Sequence, residues 1–305
     1  MKYAYYVADV FTKTVFSGAQ IAVFPHAEGL TKPQMQLIAR ELNLSETVFV
    51  FDGEESTRRV MRIFTPLTEL DFAGHPIIAA AFVLGISGAL PLTKAITSLV
   101  FEQNAGNVEV NVSAREGKPV FVQFTRKTEA IIDRFSPSDE ELAAMLSLPV
   151  SALDHKKYAP RLVSCGLPYL VVPVWQYESV RAARFNYTAW TESSAPQTAA
   201  QEVLLFAPKT PYPDADFNVR LLGSRIGLYQ DPPVGNAMPA FAHYLCSFDF
   251  MQKGTYTFSV DRGDIQNRRS VLQLEMDHKD ESSLSIRVGG EAVLVAEGMM
   301  TVPEL

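Results

Sequence analysis

The chain has 305 residues, 47% of them apolar and 20% charged, with a formal net charge of -7. Such a length and composition fit one large or two ordinary globular domains with a sizeable buried core. The acidic balance, with no basic run longer than pairs such as Arg58-Arg59 and Arg268-Arg269, argues against a nucleic-acid or anionic-membrane surface.

Tyr3 to Asp9 reads as a strand running into a turn, and Ile21 to Phe24 as a second strand. Thr31 then caps a helix, with Pro33 just inside it and apolar Met35, Ile38, Ala39 and Leu42 at helical spacing. Thr47–Phe51, Val60–Phe64, Val100–Phe101, Asn107–Val112 and Val120–Thr125 read as strands rich in Val and Phe. Pro137 to Leu146 reads as an amphipathic helix with Ser136 as its cap. Arg161 to Val174 holds two apolar runs split by Gly166-Leu167-Pro168. Val203–Phe206 and Phe217–Leu222 are expected strands, Met238–Phe250 a mostly apolar helix, and the tail strands fall at Tyr256–Val260, Ser270–Met276, Leu284–Val288 and Ala292–Ala296.

Phe72 to Thr93 carries no Asp, Glu, Lys or Arg, close to the ~20 apolar residues a membrane span needs. Gly85, Ser87, Gly88 and Pro91 break it, leaving a short helix from Pro76 to about Leu84 that is apolar on every side. Such a helix in a soluble chain is a buried one. The opening residues lack a signal-peptide pattern, and two cysteines, Cys165 and Cys246, make no disulfide framework. A cytoplasmic protein is the expectation.

An internal repeat organises the chain. Arg62-Ile63-Phe64 leads to Gly74-His75-Pro76 and an apolar helix; Arg220-Leu221-Leu222 leads to Gly235-Asn236-Ala237 and another. From the glycines on, Gly74/Gly235, Ala79/Ala240, Ala81/Ala242 and Leu84/Leu245 coincide, and upstream the segment at Glu46 resembles the one at Glu202. The repeat predicts an α+β fold of two similar lobes, each with a mixed sheet wrapped around one central apolar helix. The expected boundaries are 1–125 and 126–289, with the last strand, about 290–305, a candidate to complete the first lobe.

A glycine turn at the start of a buried helix presents free backbone N–H groups and a partial positive charge, which suits a carboxylate. Glu46 opens a strongly apolar strand. A carboxyl pressed against an apolar wall has its charged form destabilised, the condition that suits a general acid/base near neutral pH. A strand-edge surface glutamate is the other reading of the same pattern. His75 is either a proton shuttle or a buried, helix-capping histidine. Asp231 either orients a substrate amine or simply turns the chain before Pro232-Pro233. Cys165 reads as a small core residue, and Arg262-Gly263-Asp264 as a chance tripeptide. The histidines and cysteines show no metal-ligand spacing, and no glycine-rich phosphate loop follows a strand.

Asp9-Val10-Phe11-Thr12, Phe16-Ser17-Gly18, Leu44-Ser45-Glu46-Thr47, Phe64-Thr65-Pro66, Glu69-Leu70, Phe72-Ala73-Gly74-His75-Pro76, Val163-Ser164-Cys165-Gly166-Leu167-Pro168-Tyr169, Asp231-Pro232 and Arg268 with Ser270 occur in the order found in the phenazine-biosynthesis PhzF-like family, which the chain resembles over nearly its whole length. The resemblance implies the diaminopimelate-epimerase fold, an active-site cleft between two pseudo-symmetric lobes, and a homodimer. It also implies a cofactor-independent isomerase, using neither metal nor organic cofactor, that moves a proton along a small cyclic, carboxylate-bearing substrate. The family's proton-transfer glutamate falls on Glu46 and its other two active-site positions on His75 and Asp231. The substrate-binding shell falls on Ala19, Gln20, Gly74, Pro76, Gly235, Asn236 and Ala237.

Part of that shell departs from the family pattern. Ala19-Gln20 stands where Asn-Pro is common, Ile77 where Thr is common, Pro233-Val234-Gly235-Asn236-Ala237 where Val-Thr-Gly-Ser-Ala is common, and Arg262 where Gln is common. A site that loses hydrogen-bonding groups rejects ligands that needed them by factors reaching about 10⁴. The expected substrate therefore differs from the phenazine precursor. A protein that kept the cleft for binding or regulation without turnover is the alternative reading. A racemase using Glu46 as a single base is a third. Diaminopimelate epimerases place a cysteine before each glycine turn; here Ala73 and Val234 stand there, so a two-thiol racemisation lacks its thiols.

Overall fold

Each half of the chain folds about one of the two apolar helices. The computed structural model describes residues 1–55, 57–224, 226, 231–279 and 283–304. Met1–Arg126 with Arg287–Leu305 form one unit, and Lys127–Ile286 the other. The first unit runs β1 (Lys2–Val10), β2 (Ala19–Phe24), α1 (Lys32–Leu42), β3 (Glu46–Asp52), β4 (Arg58–Phe64), β5 (Glu69–Leu70), α2 (Gly74–Ile86), β6 (Ile96–Gln103), β7 (Gly106–Arg115) and β8 (Lys118–Glu129). The second holds β9 (Ile131–Asp133), α3 (Asp139–Leu146), β10 (Arg161–Ser164), β11 (Pro168–Pro173), α4 (Tyr177–Ala182), α5 (Tyr187–Glu192), β12 (Glu202–Ala207), β13 (Phe217–Gly223), α6 (Met238–Cys246), β14 (Gly254–Arg262) and β15 (Ser270–His278). Then β16 (Ser283–Gly290) leads back to the first unit and β17 (Ala292–Thr301).

The repeat seen in the sequence is a repeat of strand pairing. In the first unit β1 and β2 are antiparallel, β2 and β3 parallel, β3 and β4 antiparallel, β4 and β6 parallel, and β6 and β7 antiparallel. In the second, β10 and β11, β11 and β12, β12 and β13, β13 and β14, and β14 and β15 follow the same alternation. Glu46 and Glu202 open the corresponding strands, and α2 and α6 follow at the corresponding place. Strand β17 closes the first unit by pairing antiparallel with β1, from Lys2↔Thr301 to Val10↔Ala292.

Helix α2 is buried at every residue from Gly74 to Gly85, and α6 from Met238 to Leu245. That explains the missing polar face: over these stretches each helix is covered on all sides. Phe241 of α6 sits in an aromatic cluster with Phe206 and Phe217, ring centroids 5.1 and 5.3 Å away. Among the described residues no helix is long and apolar enough to cross a membrane. Helix α1 begins as expected at Thr31, whose hydroxyl accepts from the Gln34 N–H at 3.4 Å while Gln34 Oε1 accepts from the Thr31 N–H at 2.9 Å.

Two helix boundaries differ from the sequence expectation. Helix α3 is capped by Ser138 rather than Ser136, because Ser138 and Glu141 form a reciprocal capping box that places Pro137 outside the helix. Helix α6 stops at Cys246 and does not reach Phe250. Ser247 Oγ donates to the Tyr244 carbonyl at 2.6 Å, and Arg161 Nη1 donates to the Ser247 carbonyl at 2.9 Å. Carbonyls that another turn would use are thereby taken. Phe248 and Phe250 pack instead against Tyr158, at centroid distances of 5.6 and 5.7 Å. The short elements β5, β9, α4 and α5 are too brief for a period to register in the sequence.

Candidate active site

In the first unit five of the expected site residues gather at one end of the sheet. The loop from Phe11 to Gly18 joins β1 to β2, and buried Asp9 ties it down, its Oδ2 accepting from the Phe16 N–H at 2.6 Å. Gly18 has φ +67°, and a Cβ there would lie 2.3 Å from the Val10 carbonyl, so only glycine fits. The chain then enters β2 at Ala19 and Gln20, with Ala19 paired to Val10. Ile21 pairs with Glu46 across the parallel β2–β3 ladder, and Ser45 Oγ donates to the Gln20 carbonyl at 3.1 Å. Ala19, Gln20 and Glu46 therefore share one edge.

Glu46 is 9% exposed and is followed by Thr47, Val48, Phe49 and Val50, all buried. Both faces of this strand are covered, and Glu46 is buried at its head. Gly74 and His75 form the first turn of α2, with Pro76 behind them. Ala73, extended at φ -153° and ψ 139°, offers no side-chain cap to that turn. His75 is 2% exposed, and its imidazole meets the ring of Phe11, the residue that follows β1. Since β1 ends where β2 and β3 begin, Phe11 brings His75 to the same end of the sheet as Glu46.

Asp231 lies in the second unit and is 3% exposed. Arg262, also buried, places Nη2 3.6 Å from Asp231 Oδ1 and donates to the Asp231 carbonyl as well; its Nη1 donates to Ser270 Oγ at 3.3 Å. Burial pushes the Asp231 carboxyl upward, against the opposing pull of the Arg262 and Arg220 charges and the Gly263 N–H. The net shift is upward. Gly235, Asn236 and Ala237 form a single 3-10 turn that runs directly into α6, with Gly235 and Ala237 buried. Each glycine turn thus opens onto its unit's buried helix. The residues preceding them, Ala73 and Val234, are wholly buried.

The sequence marks Arg262 only as a departure from the family pattern and as part of a chance tripeptide, not as a buried partner of Asp231. The usable signal was its departure from the Gln common at that position. Arg220 was noted only as part of the repeat, yet it is 1% exposed and lines a small cavity with Asp231. Cys165 corrects another expectation: it is half-buried in the turn between β10 and β11 rather than in the core, because Gly166 at φ +101° turns the chain there. Cys246 is half-buried too, and burial pushes its thiol up to about 11. Among the described residues no group of three or more His, Cys, Asp and Glu is arranged to hold a metal ion.

Comparison with known proteins adds to this geometry. The family model for phenazine biosynthesis-like proteins (PhzC-PhzF) matches residues 8–298. An uncharacterized isomerase of Mesorhizobium japonicum is 32% identical, the match covering 98% of each chain. The trans-2,3-dihydro-3-hydroxyanthranilate isomerase of Pseudomonas chlororaphis is 36% identical over 54% of this chain and 57% of its own. The crystal structure of a Bacillus anthracis phenazine biosynthesis protein of the PhzF family superposes with a TM-score of 0.85, at 23% identity and 99% coverage of both chains. The last likeness shows the fold.

Proposed function

The chain belongs to the phenazine biosynthesis-like PhzC-PhzF family, within the diaminopimelate-epimerase-like superfamily, and on that premise we propose that it is an isomerase that moves a proton, and with it a double bond, on a small carboxylate-bearing, cyclic or amino-acid-like substrate. Glu46 is the general acid/base, taking a proton from one carbon and returning it to another, with neither metal nor organic cofactor in the step. The observation that carries this reading is the burial of Glu46 at the head of an apolar strand, at the same sheet end as His75. A carboxyl in such a place has little water to compete for its proton.

In this reading His75 and Asp231 polarise and orient the substrate. Ala19, Gln20 and Pro76 shape the wall beside Glu46. Because Ala19-Gln20 and Asn236 depart from the residues common in the family, the substrate differs from that of the Pseudomonas relative. The proposed assembly is a homodimer, which light scattering on the purified protein measures.

The test uses deuterated water. A panel of small unsaturated cyclic amino acids, with trans-2,3-dihydro-3-hydroxyanthranilate as the first probe, is incubated with the protein and followed by proton NMR. Enzyme-dependent deuterium incorporation at carbon is expected for a member of the panel. Glu46→Gln keeps shape but cannot carry the proton, and its rate should fall by about 10²–10⁴-fold while the ligand still binds. Undiminished exchange in Glu46→Gln rules out this mechanism. Binding without exchange in the wild type favours a silent binding protein.

A further inference from the structure

Arg220 has no role in the chemistry above, yet it is among the bulkiest fully buried side chains of the protein. A buried guanidinium is costly unless its charge and its donors are matched. Nη1 donates to the carbonyls of Val180 at 3.3 Å and Ala183 at 2.8 Å, where helix α4 ends. Nε and Nη2 have no hydrogen-bond partner among the described residues. Anchoring α4 therefore uses only part of a side chain with five donors.

Arg220 borders a cavity of about 10 Å³, which it shares with Asp231, Arg181, Asn218, Gly263 and Asp264. The other two charges lining it face each other: Arg181 Nη1 lies 3.3 Å from Asp264 Oδ2. Asp231 attracts Arg220, and Arg184 repels it. Asp231 is thus faced by Arg262 from β14 and by Arg220 from β13, with the Gly263 N–H beside it. Its contact with Arg262 Nη2, at 3.6 Å, is too long for a hydrogen bond.

We propose that Arg220 is a positioning residue for Asp231, supplying from across that cavity the second positive charge that holds the buried carboxylate ionised and in place. The inference rests on the proposed function only for its relevance to catalysis. The coupling of the two side chains stands or falls separately. It makes β13 more than a scaffold: the strand that precedes the second glycine turn also sets the charge of the residue in front of that turn.

The experiment follows the carboxyl carbons of aspartate-labelled full-length protein by NMR across pH, with Asp231→Asn assigning the Asp231 signal. Arg220→Gln keeps donors toward the α4 carbonyls and removes the charge; the Asp231 midpoint should rise by about 1 unit or more. Arg220→Lys keeps the charge and should shift it less. An unchanged midpoint in Arg220→Gln, or equal shifts in both variants, overturns the proposal. Should Arg220→Gln fail to fold, the double variant with Asp231→Asn decides. Recovery of folding supports the coupling, and failure of the double variant makes Arg220 a structural anchor of α4 and overturns it. A shifted midpoint in a protein without deuterium exchange sinks the catalytic reading and leaves the coupling intact. An unshifted midpoint in an active protein does the reverse.

Discussion

The ring of Phe11 stands edge-on to the imidazole of His75, with centroids 5.2 Å apart and planes at 87°. Phe11 reaches that position through a left-handed backbone, φ +61°, rare for an aromatic residue. Its N–H donates to the Glu291 carbonyl at 2.7 Å. Behind it lies Gly290, where a Cβ would come 2.3 Å from Phe11 Cδ1. The returning C-terminal segment thus holds the ring that holds His75.

Gly290→Ala should push Phe11 off His75. Deuterium exchange on a turned-over substrate should fall severalfold, and the His75 ring signals should move in NMR. Phe11→Ala removes the ring altogether and should also cost about 3–5 kcal/mol of stability, as buried phenylalanines do. Denaturant unfolding measures the second effect. Unaltered His75 signals in Gly290→Ala would contradict the packing argument.

The three proposed catalytic groups should not weigh equally. His75→Asn and Asp231→Asn should each reduce exchange by less than Glu46→Gln if they orient and polarise rather than carry the proton. Cys165→Ala and Cys246→Ala should leave the rate nearly unchanged, since neither thiol stands before the turns at Gly74 and Gly235 and the Cys246 thiol is held protonated at neutral pH. Initial rates on the same substrate rank all five variants.

His243 should make the protein acid-sensitive. It is buried on α6, with Nε2 3.1 Å from both the hydroxyl and the carbonyl oxygen of Thr128, and burial lowers its pKa below the ordinary 6.5. In the acid range the unfolded chain binds a proton that the folded one refuses, so stability falls as pH drops below 6.5. His243→Gln should flatten that slope at a cost of about 1 kcal/mol at neutral pH. Urea midpoints between pH 5 and 8 provide the check.

A second, more acidic transition should come from Glu69. Its oxygens accept from Arg62 Nε at 2.7 Å and Nη2 at 2.8 Å, and Lys32 Nζ lies 2.6 Å away. The Arg62 guanidinium, foremost, and Lys32 hold the carboxyl at about 2, below its ordinary 4.5. This contribution is present above pH 4.5 and disappears as pH falls through about 2. Glu69→Gln should lower stability at pH 7 by about 1–3 kcal/mol, the usual worth of hydrogen bonds to charged groups, and remove most of this acid step.

The α+β class, the two buried apolar helices and the family are legible along the chain. All of these are carried by local signals: an all-apolar helical run has no face to expose, and Thr31 with Pro33 marks a helix start wherever it occurs. Only the tertiary structure decided which polar residues are buried and against what. Nothing along the chain marks Arg220 or Arg262 as buried, because an arginine is favourable inside only once a particular carboxylate or carbonyl is brought to it. Asp231, Val180 and Ala183 are brought to them by strand pairings and helix ends distant in sequence. The same holds for Gly290 behind Phe11: this contact joins residues nearly the whole chain apart, and no local period or cap can encode it.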